Sequence, residues 1–191
     1  MDVETGCGLT GSGTAESPLV AETGDWGYAC PIGANGGGVY CDPATGELRS
    51  DPPVRQDYFS VAKNDVVPPI PVTTTAEATV DTLTFTITNP DPCRQASVLL
   101  FREVDLDIDL PPGSGAMTGL DGDDMTYLGN QGTATIFASH VQANKISRSL
   151  LAPGASQTIT MEVQAGRGSG GARIVRVQAT LRAWIFSNPI G

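Results

Sequence analysis

Thr79-Val80-Asp81-Thr82-Leu83-Thr84-Phe85-Thr86-Ile87-Thr88 is the stretch that decides the fold class. Successive side chains of an extended chain point to opposite faces. Leu83, Phe85 and Ile87 therefore share one face, and Thr82, Thr84, Thr86 and Thr88 share the other. Alternation of this length predicts a half-buried strand. Asn89-Pro90-Asp91-Pro92 ends it as a turn. Downstream, Ser97-Val98-Leu99-Leu100-Phe101 runs into Val104-Asp105-Leu106-Asp107-Ile108-Asp109-Leu110, a second clean alternation that stops at Pro111-Pro112-Gly113. Further strands are expected over 133–141, 156–164 and 173–186, with Trp184 and Phe186 of the last one assigned to the core. Residues 143–151 are the best helical candidate, but Pro153-Gly154 behind them favours a strand and turn. Strands between Gly/Pro turns, with no capped helical stripe, predict an all-β chain. Its C-terminal part is read as an antiparallel β-sandwich, jelly-roll or immunoglobulin-like. A parallel βαβ fold is excluded for want of helices.

Upstream the composition changes. Gly8-Leu9-Thr10-Gly11-Ser12-Gly13-Thr14-Ala15-Glu16-Ser17-Pro18-Leu19-Val20 is punctuated by glycine and has too little bulk for a core of its own. Asp65-Val66-Val67-Pro68-Pro69-Ile70-Pro71-Val72 is extended, because proline fixes φ and restrains the residue before it; it reads as a linker or edge strand. The expected organisation is an extended glycine-rich N-terminal arm and attachment region over 1–70, then the sandwich over 71–191. Leu9, Pro18, Leu19, Val20, Trp26 and Tyr28 are the arm residues predicted to be buried against another surface.

The charge balance is acidic, 21 carboxylates against 11 Lys and Arg, for a net −10. That sign repels phosphate backbones and anionic membranes, so neither nucleic acid nor membrane insertion is expected. The sequence has no apolar run of membrane-spanning length, and Met1-Asp2-Val3-Glu4 lacks the apolar core of a signal peptide, so synthesis in the cytoplasm is expected. Catalytic constellations are missing: His140 is the single histidine, inside a predicted strand, and reads as structural or solvent-facing. No nucleophile elbow, phosphate loop or zincin helix occurs, and the expectation is a non-enzyme.

The four cysteines show no Cys-x-x-Cys spacing. Cys30 and Cys41 bracket a flexible glycine-rich loop and are the candidate disulfide, worth about 2–3 kcal/mol of unfolded-chain entropy; two buried thiols are the alternative. Asp105, Asp107 and Asp109 share one strand face and need balancing by Arg94, Arg102, solvent or calcium. Asp121, Asp123 and Asp124 form a calcium-like loop cluster without the EF-hand spacing. No cofactor is called for; calcium is the one metal raised.

The segment from Gly8 to Val20 resembles the glycine element that recurs in tail fibres and minor tail proteins of tailed bacteriophages. Trp26-Gly27-Tyr28-Ala29-Cys30, the Gly36-Gly37-Gly38-Val39-Tyr40-Cys41-Asp42 run, Gly46-Glu47-Leu48-Arg49 and Thr86-Ile87-Thr88-Asn89-Pro90 resemble small virion proteins of phages infecting actinobacteria. That resemblance implies a structural virion protein, in the tail tip or a short fibre. It implies a homotrimer docked by its N-terminal arm onto other virion proteins. The alternatives are a head fibre or capsid decoration protein, and a host-surface glycan-binding module.

Overall fold

Alternation along the chain becomes two sheets in a computed structural model that describes residues 6–187. Four short strands come first: β1 (Leu9–Thr10), β2 (Val20–Ala21), β3 (Val39–Cys41) and β4 (Leu48–Ser50), with one helical turn, α1 (Ile32–Asn35), before β3. Eight strands follow: β5 (Gln56–Pro71), β6 (Ala78–Thr88), β7 (Ala96–Leu110), β8 (Gly115–Leu120), β9 (Asp124–Gly129), β10 (Ile136–Leu151), β11 (Ser156–Ser169) and β12 (Arg173–Ser187). They form two antiparallel sheets ordered β10-β7-β12-β5 and β6-β11-β8-β9. Each connection from β5 to β9 but one crosses between sheets, and the order is that of a jelly roll. This resolves the two sandwich types left open by the sequence.

The core lies between the sheets. Val98, Leu100, Val104, Leu106, Ile108 and Leu110 of β7 face Leu83 and Ile87 of β6 and Ile159, Met161 and Val163 of β11, all buried. Each such side chain contributes about 1.5–3 kcal/mol by leaving water. The Phe59 and Phe85 rings stack across the gap at 6.1 Å, and four residues along each strand Lys63 of β5 pairs with Asp81 of β6.

Four sequence expectations are corrected. The last strand has the opposite phase to the one expected: Leu181, Ala183 and Ile185 are buried, while Trp184 is half-buried and Phe186 exposed on the outside. The sandwich begins at Gln56, because β5 pairs with β12 from Gln56↔Phe186 to Pro71↔Arg173, so the 70/71 boundary cuts through its edge strand. Prolines 68, 69 and 71 are tolerated there because an edge strand has one side without a ladder. The glycine segment does not run out as an extended arm. Gly11 takes φ +95° and Gly8 φ +75°, the chain doubles back, and β1 pairs with β2 through Leu9↔Ala21 and Thr10↔Val20. A Cβ on Gly11 would lie 2.1 Å from the Pro18 carbonyl oxygen, so the turn demands glycine.

The fourth correction concerns the disulfides. Cys30 and Cys41 are not bonded to each other: Cys7 pairs with Cys41 and Cys30 with Cys93, at Cα separations of 5.7 and 5.0 Å. The first closes the N-terminal lobe, residues 6–55; the second ties that lobe to the sandwich. In the chain-entropy account each closed loop is worth about 4 kcal/mol.

The second bond sits in a buried polar corner. Asn89 Nδ2 donates to the carbonyls of Arg94, Leu151 and Ala152 at 2.8, 3.2 and 3.0 Å. Asp91 accepts from the Cys93 and Arg94 amides at 2.8 and 3.1 Å and pairs with Arg94 Nε at 3.0 Å. Arg94 Nη2 then donates to the carbonyls of Pro52 and Pro53 in the lobe. Burial works against the Asp91 charge, but the Cys93 amide and the Arg94 side chain and amide outweigh it and hold its carboxyl below the usual range. Its contribution is therefore present above the ordinary carboxylate pKa and is lost as pH falls through the lowered one. Asp91→Ala leaves Arg94 buried and unpaired and is expected to cost about 3–5 kcal/mol in denaturant unfolding. Peptide mapping without reduction should recover Cys7–Cys41 and Cys30–Cys93; a Cys30–Cys41 peptide would refute this connectivity.

Candidate functional site: the outer face of the sandwich

The two outer faces of the sandwich differ in chemistry. On β6 and β11 the exposed rows are hydroxyls, joined across the strands: Thr84 to Thr160 at 3.2 Å, Thr86 to Thr158 at 3.1 Å and Thr88 to Ser156 at 2.8 Å. That is the ordinary solvent face of an antiparallel sheet. The outer face of β10-β7-β12-β5 instead divides into an acidic end and an apolar end.

At the acidic end, Asp105, Asp107 and Asp109 project from alternate positions of β7, as the sequence predicts. Their counter-charges come from the neighbouring strands. Arg176 Nε lies 2.6 Å from Asp107 Oδ2, Arg173 Nε 3.6 Å from Asp109 Oδ2, and His140 Nδ1 2.9 Å from Asp107 Oδ1 and 3.1 Å from Asp105 Oδ1. Arg94 and Arg102 do not serve: Arg94 is in the buried corner and Arg102 Nε faces Asp121 Oδ2 at 3.3 Å on the inner side. The alternating signal in Arg173-Ile174-Val175-Arg176 is interrupted by a bulge between Ile174 and Arg176, which restores both arginines to the outer face. Ligand atoms of Asp105, Asp107 and His140 lie within 4.8 Å of one another, a donor set of the kind that suits a transition-metal dication. Arg176 already holds the far oxygen of Asp107, so the cluster is balanced by protein charges.

The Asp121, Asp123 and Asp124 loop, raised as a calcium-like cluster, has protein partners. Asp121 accepts from the Glu162 amide at 2.9 Å and faces Arg102, while Asp123 and Asp124 turn to Lys145. Asp121 is drawn to one cation and Asp123 and Asp124 to another, instead of all three to one point. Hydrogen bonding to Lys145 lowers the Asp123 carboxyl, and the same contact raises the Lys145 ammonium.

At the apolar end, register places Tyr58 of β5 beside Trp184 of β12, Trp184 beside Leu99 of β7, and Phe101 of β7 beside Ile146 of β10. The Tyr58 and Trp184 rings are 5.3 Å apart, and with Gln56, Asp57 and Phe186 they line a hollow of about 370 Å³. Ile146 is 63% exposed, Leu150 53% and Tyr58 49%. Arg182 lies over the Phe101 ring at 5.5 Å and marks the border with Glu103 at 3.9 Å. Sequence reasoning missed this surface because it assigned the aromatics of β12 inward; the signal was Ala179 and Ala183, small residues on the face that packs.

The arm residues are distributed over the N-terminal lobe. Leu9, Pro18, Leu19 and Val20 are exposed on the β1–β2 hairpin. Trp26 and Tyr28 are held within the chain: their rings are 4.8 Å apart, Trp26 Nε1 donates to the Cys30 carbonyl, and Tyr28 Oη donates to Asp51 Oδ1 at 2.8 Å. Partial burial, then the bond and charge of Asp51, push the Tyr28 phenol up to about 12.

No family model matches the chain, and no curated protein does. Among solved structures, "Structure of infectious bursal disease virus Gx strain" aligns with 81% of this chain at 14% identity and a TM-score of 0.27. "Crystal structure of infectious bursal disease virus VP2 subviral particle" aligns with 90% at 11% identity and a TM-score of 0.18. The chain spans 41% and 51% of the length of those two. Among the described residues, no helix is long and apolar enough to cross a membrane.

The fold favours the neutral Tyr28 phenol, so this contribution is complete below pH 10 and is lost as pH rises through about 12. Titration followed by phenolate absorbance should show one of the four tyrosines ionising near pH 12. Asp51→Asn should bring that step back toward 10.

Proposed function

We propose that this chain is a non-enzymatic structural component of a bacteriophage virion, a tail protein of the tip or a short fibre. It docks through its N-terminal lobe and displays the jelly roll outward. The observation that carries this reading is apolar surface on both parts of one disulfide-tied body. Leu9, Leu19 and Val20 stand half out of the lobe, and a four-strand-wide aliphatic and aromatic patch stands on the sandwich. Contiguous apolar surface of that kind marks a place where another protein sits. The resemblance of the Gly8–Val20 element to phage tail proteins supplies the kind of assembly. Jelly rolls serve in capsids and lectins alike, so the fold is compatible with this role without dictating it.

Two disulfides suit a protein that works outside the reducing cytoplasm, as a particle released by lysis does. Contact with host-surface glycan is assigned to the hollow between Tyr58, Trp184 and Phe186, where aromatic rings offer stacking planes beside Gln56 and Asp57.

Antibody raised against the chain should label the tails of particles purified from the lysate. Labelled heads would transfer the protein to capsid decoration, and its recovery solely in the particle-free fraction would overturn the virion reading. Changing Leu9, Leu19 and Val20 together to Asp should abolish incorporation into particles with no change in the melting temperature of the free protein, because all three side chains are exposed.

A further inference from the structure

We propose that Asp105, Asp107 and His140 are the three protein ligands of a transition-metal dication on the outer face of β10-β7-β12-β5. The inference goes beyond the assembly reading above and does not rest on it.

Strand pairing brings the three together. Asp105 and Asp107 are two positions apart on β7, so their side chains leave one face about 7 Å apart at the backbone. His140 of β10 stands directly opposite Asp107 in the register and diagonal to Asp105. Opposite and diagonal neighbours are the places from which cross-strand side chains meet. His140 Nδ1 comes to 2.9 Å from Asp107 Oδ1 and 3.1 Å from Asp105 Oδ1. A zinc-sized ion holds nitrogen and oxygen at about 2.0–2.2 Å, which sets two ligands at a right angle about 3 Å apart. Both measured edges have that length, and donor atoms of all three residues lie within 4.8 Å of one another.

Positive charge is short at the point where these donors meet. Arg176 answers Asp107 from the opposite flank, with Nε 2.6 Å from Oδ2, and comes no nearer to Asp105 Oδ2 than 3.9 Å. In the register Asp105 has uncharged neighbours on both sides, Gln142 of β10 and Gln178 of β12. The two Oδ1 atoms share His140 Nδ1, and one imidazole nitrogen carries at most one proton. The balance of charge at this end therefore hangs on a single proton between two carboxylates. A dication in its place is held by three lone pairs, with the neutral ring protonated at Nε2. Arg176 then serves Asp107 as an outer partner that fixes the orientation of a ligating carboxylate. In the Asp121–Asp124 loop, by contrast, Arg102 and Lys145 already supply the cations.

Donor type selects the ion. One imidazole with two carboxylates suits zinc and its first-row neighbours, whereas calcium takes six to eight oxygens. Three protein ligands leave further coordination positions to water. The ion ties β10, an edge strand, to β7. His140 is the single histidine of the sequence, and all four cysteines are in disulfides, so no second imidazole and no thiolate competes for such an ion.

The test is calorimetric titration of the intact, oxidised, tag-free chain with Zn²⁺ after chelator treatment. Beside it stand His140→Ala, Asp105→Asn and, as a control on the other acidic cluster, Asp123→Asn/Asp124→Asn. One ion per chain is expected for the wild type and the control, with affinity weakened roughly a hundredfold in the two ligand variants. Nitrogen NMR of the single imidazole should show Zn²⁺ moving Nδ1 while Nε2 keeps its proton. Zn²⁺ should raise the melting temperature of the wild type and leave that of His140→Ala unchanged. Without metal the two should melt together, because His140 is exposed, which separates a lost ligand from a lost fold. Absence of saturable binding overturns the site, as does binding indifferent to His140 and Asp105, or Ca²⁺ bound more tightly than Zn²⁺. The particle-labelling result bears on none of these outcomes, so the metal site and the virion reading fail separately.

Discussion

The buried Asp91–Arg94 pair is the constraint on which the arrangement of this molecule depends. A charge taken out of water is tolerated when its partner and its remaining hydrogen bonds are all supplied. Here Asp91 is surrounded by the Cys93 and Arg94 amides and the guanidinium, and Arg94 spends its other donors on Pro52 and Pro53. The pair cannot be satisfied by the sandwich alone. The N-terminal lobe has to sit where its carbonyls complete the set, and Cys30–Cys93 fixes it there. Arg55 adds a second link, from Nη1 to the Pro90 carbonyl and from Nη2 to Asn35 Oδ1.

Fixing the lobe sets where its surface lies. A free arm would adapt to any neighbour, whereas a lobe tied at the end of the sandwich presents Leu9, Leu19 and Val20 in a set direction relative to the patch around Trp184. The hydroxyl rows of β6 and β11 are compatible with solvent, whereas the outer face of β10-β7-β12-β5 exposes apolar side chains at one end.

The fold was legible where burial was one-sided. β6 and β7 alternate cleanly because one face meets the core and the other does not, and their predicted limits differ from the observed ones by a residue at most. β8 and β9 escaped notice because Gly115-Ala116-Met117-Thr118-Gly119-Leu120 has small residues on both sides and no alternation. The phase of β12 was misread because Trp184 and Phe186 are the larger residues, yet the packed face is lined by Ala179, Leu181, Ala183 and Ile185. An outer face that carries the larger apolar residues defeats the rule that such residues point inward. The cysteine pairing was hidden for another reason. The bonds join residues 34 and 63 positions apart, and sequence proximity favoured the short Cys30–Cys41 loop. Of the site, the Asp105–Asp107–Asp109 row was visible in the sequence; its partners His140, Arg173 and Arg176 became visible once the strand order was known.

Calorimetry of the oxidised chain in a monomeric regime tests the central claim most directly. If the buried pair and Cys30–Cys93 make lobe and sandwich one cooperative unit, heat unfolding is a single transition whose calorimetric and van't Hoff enthalpies agree. Two transitions, with the lobe melting first while the sandwich keeps its full enthalpy, would contradict it.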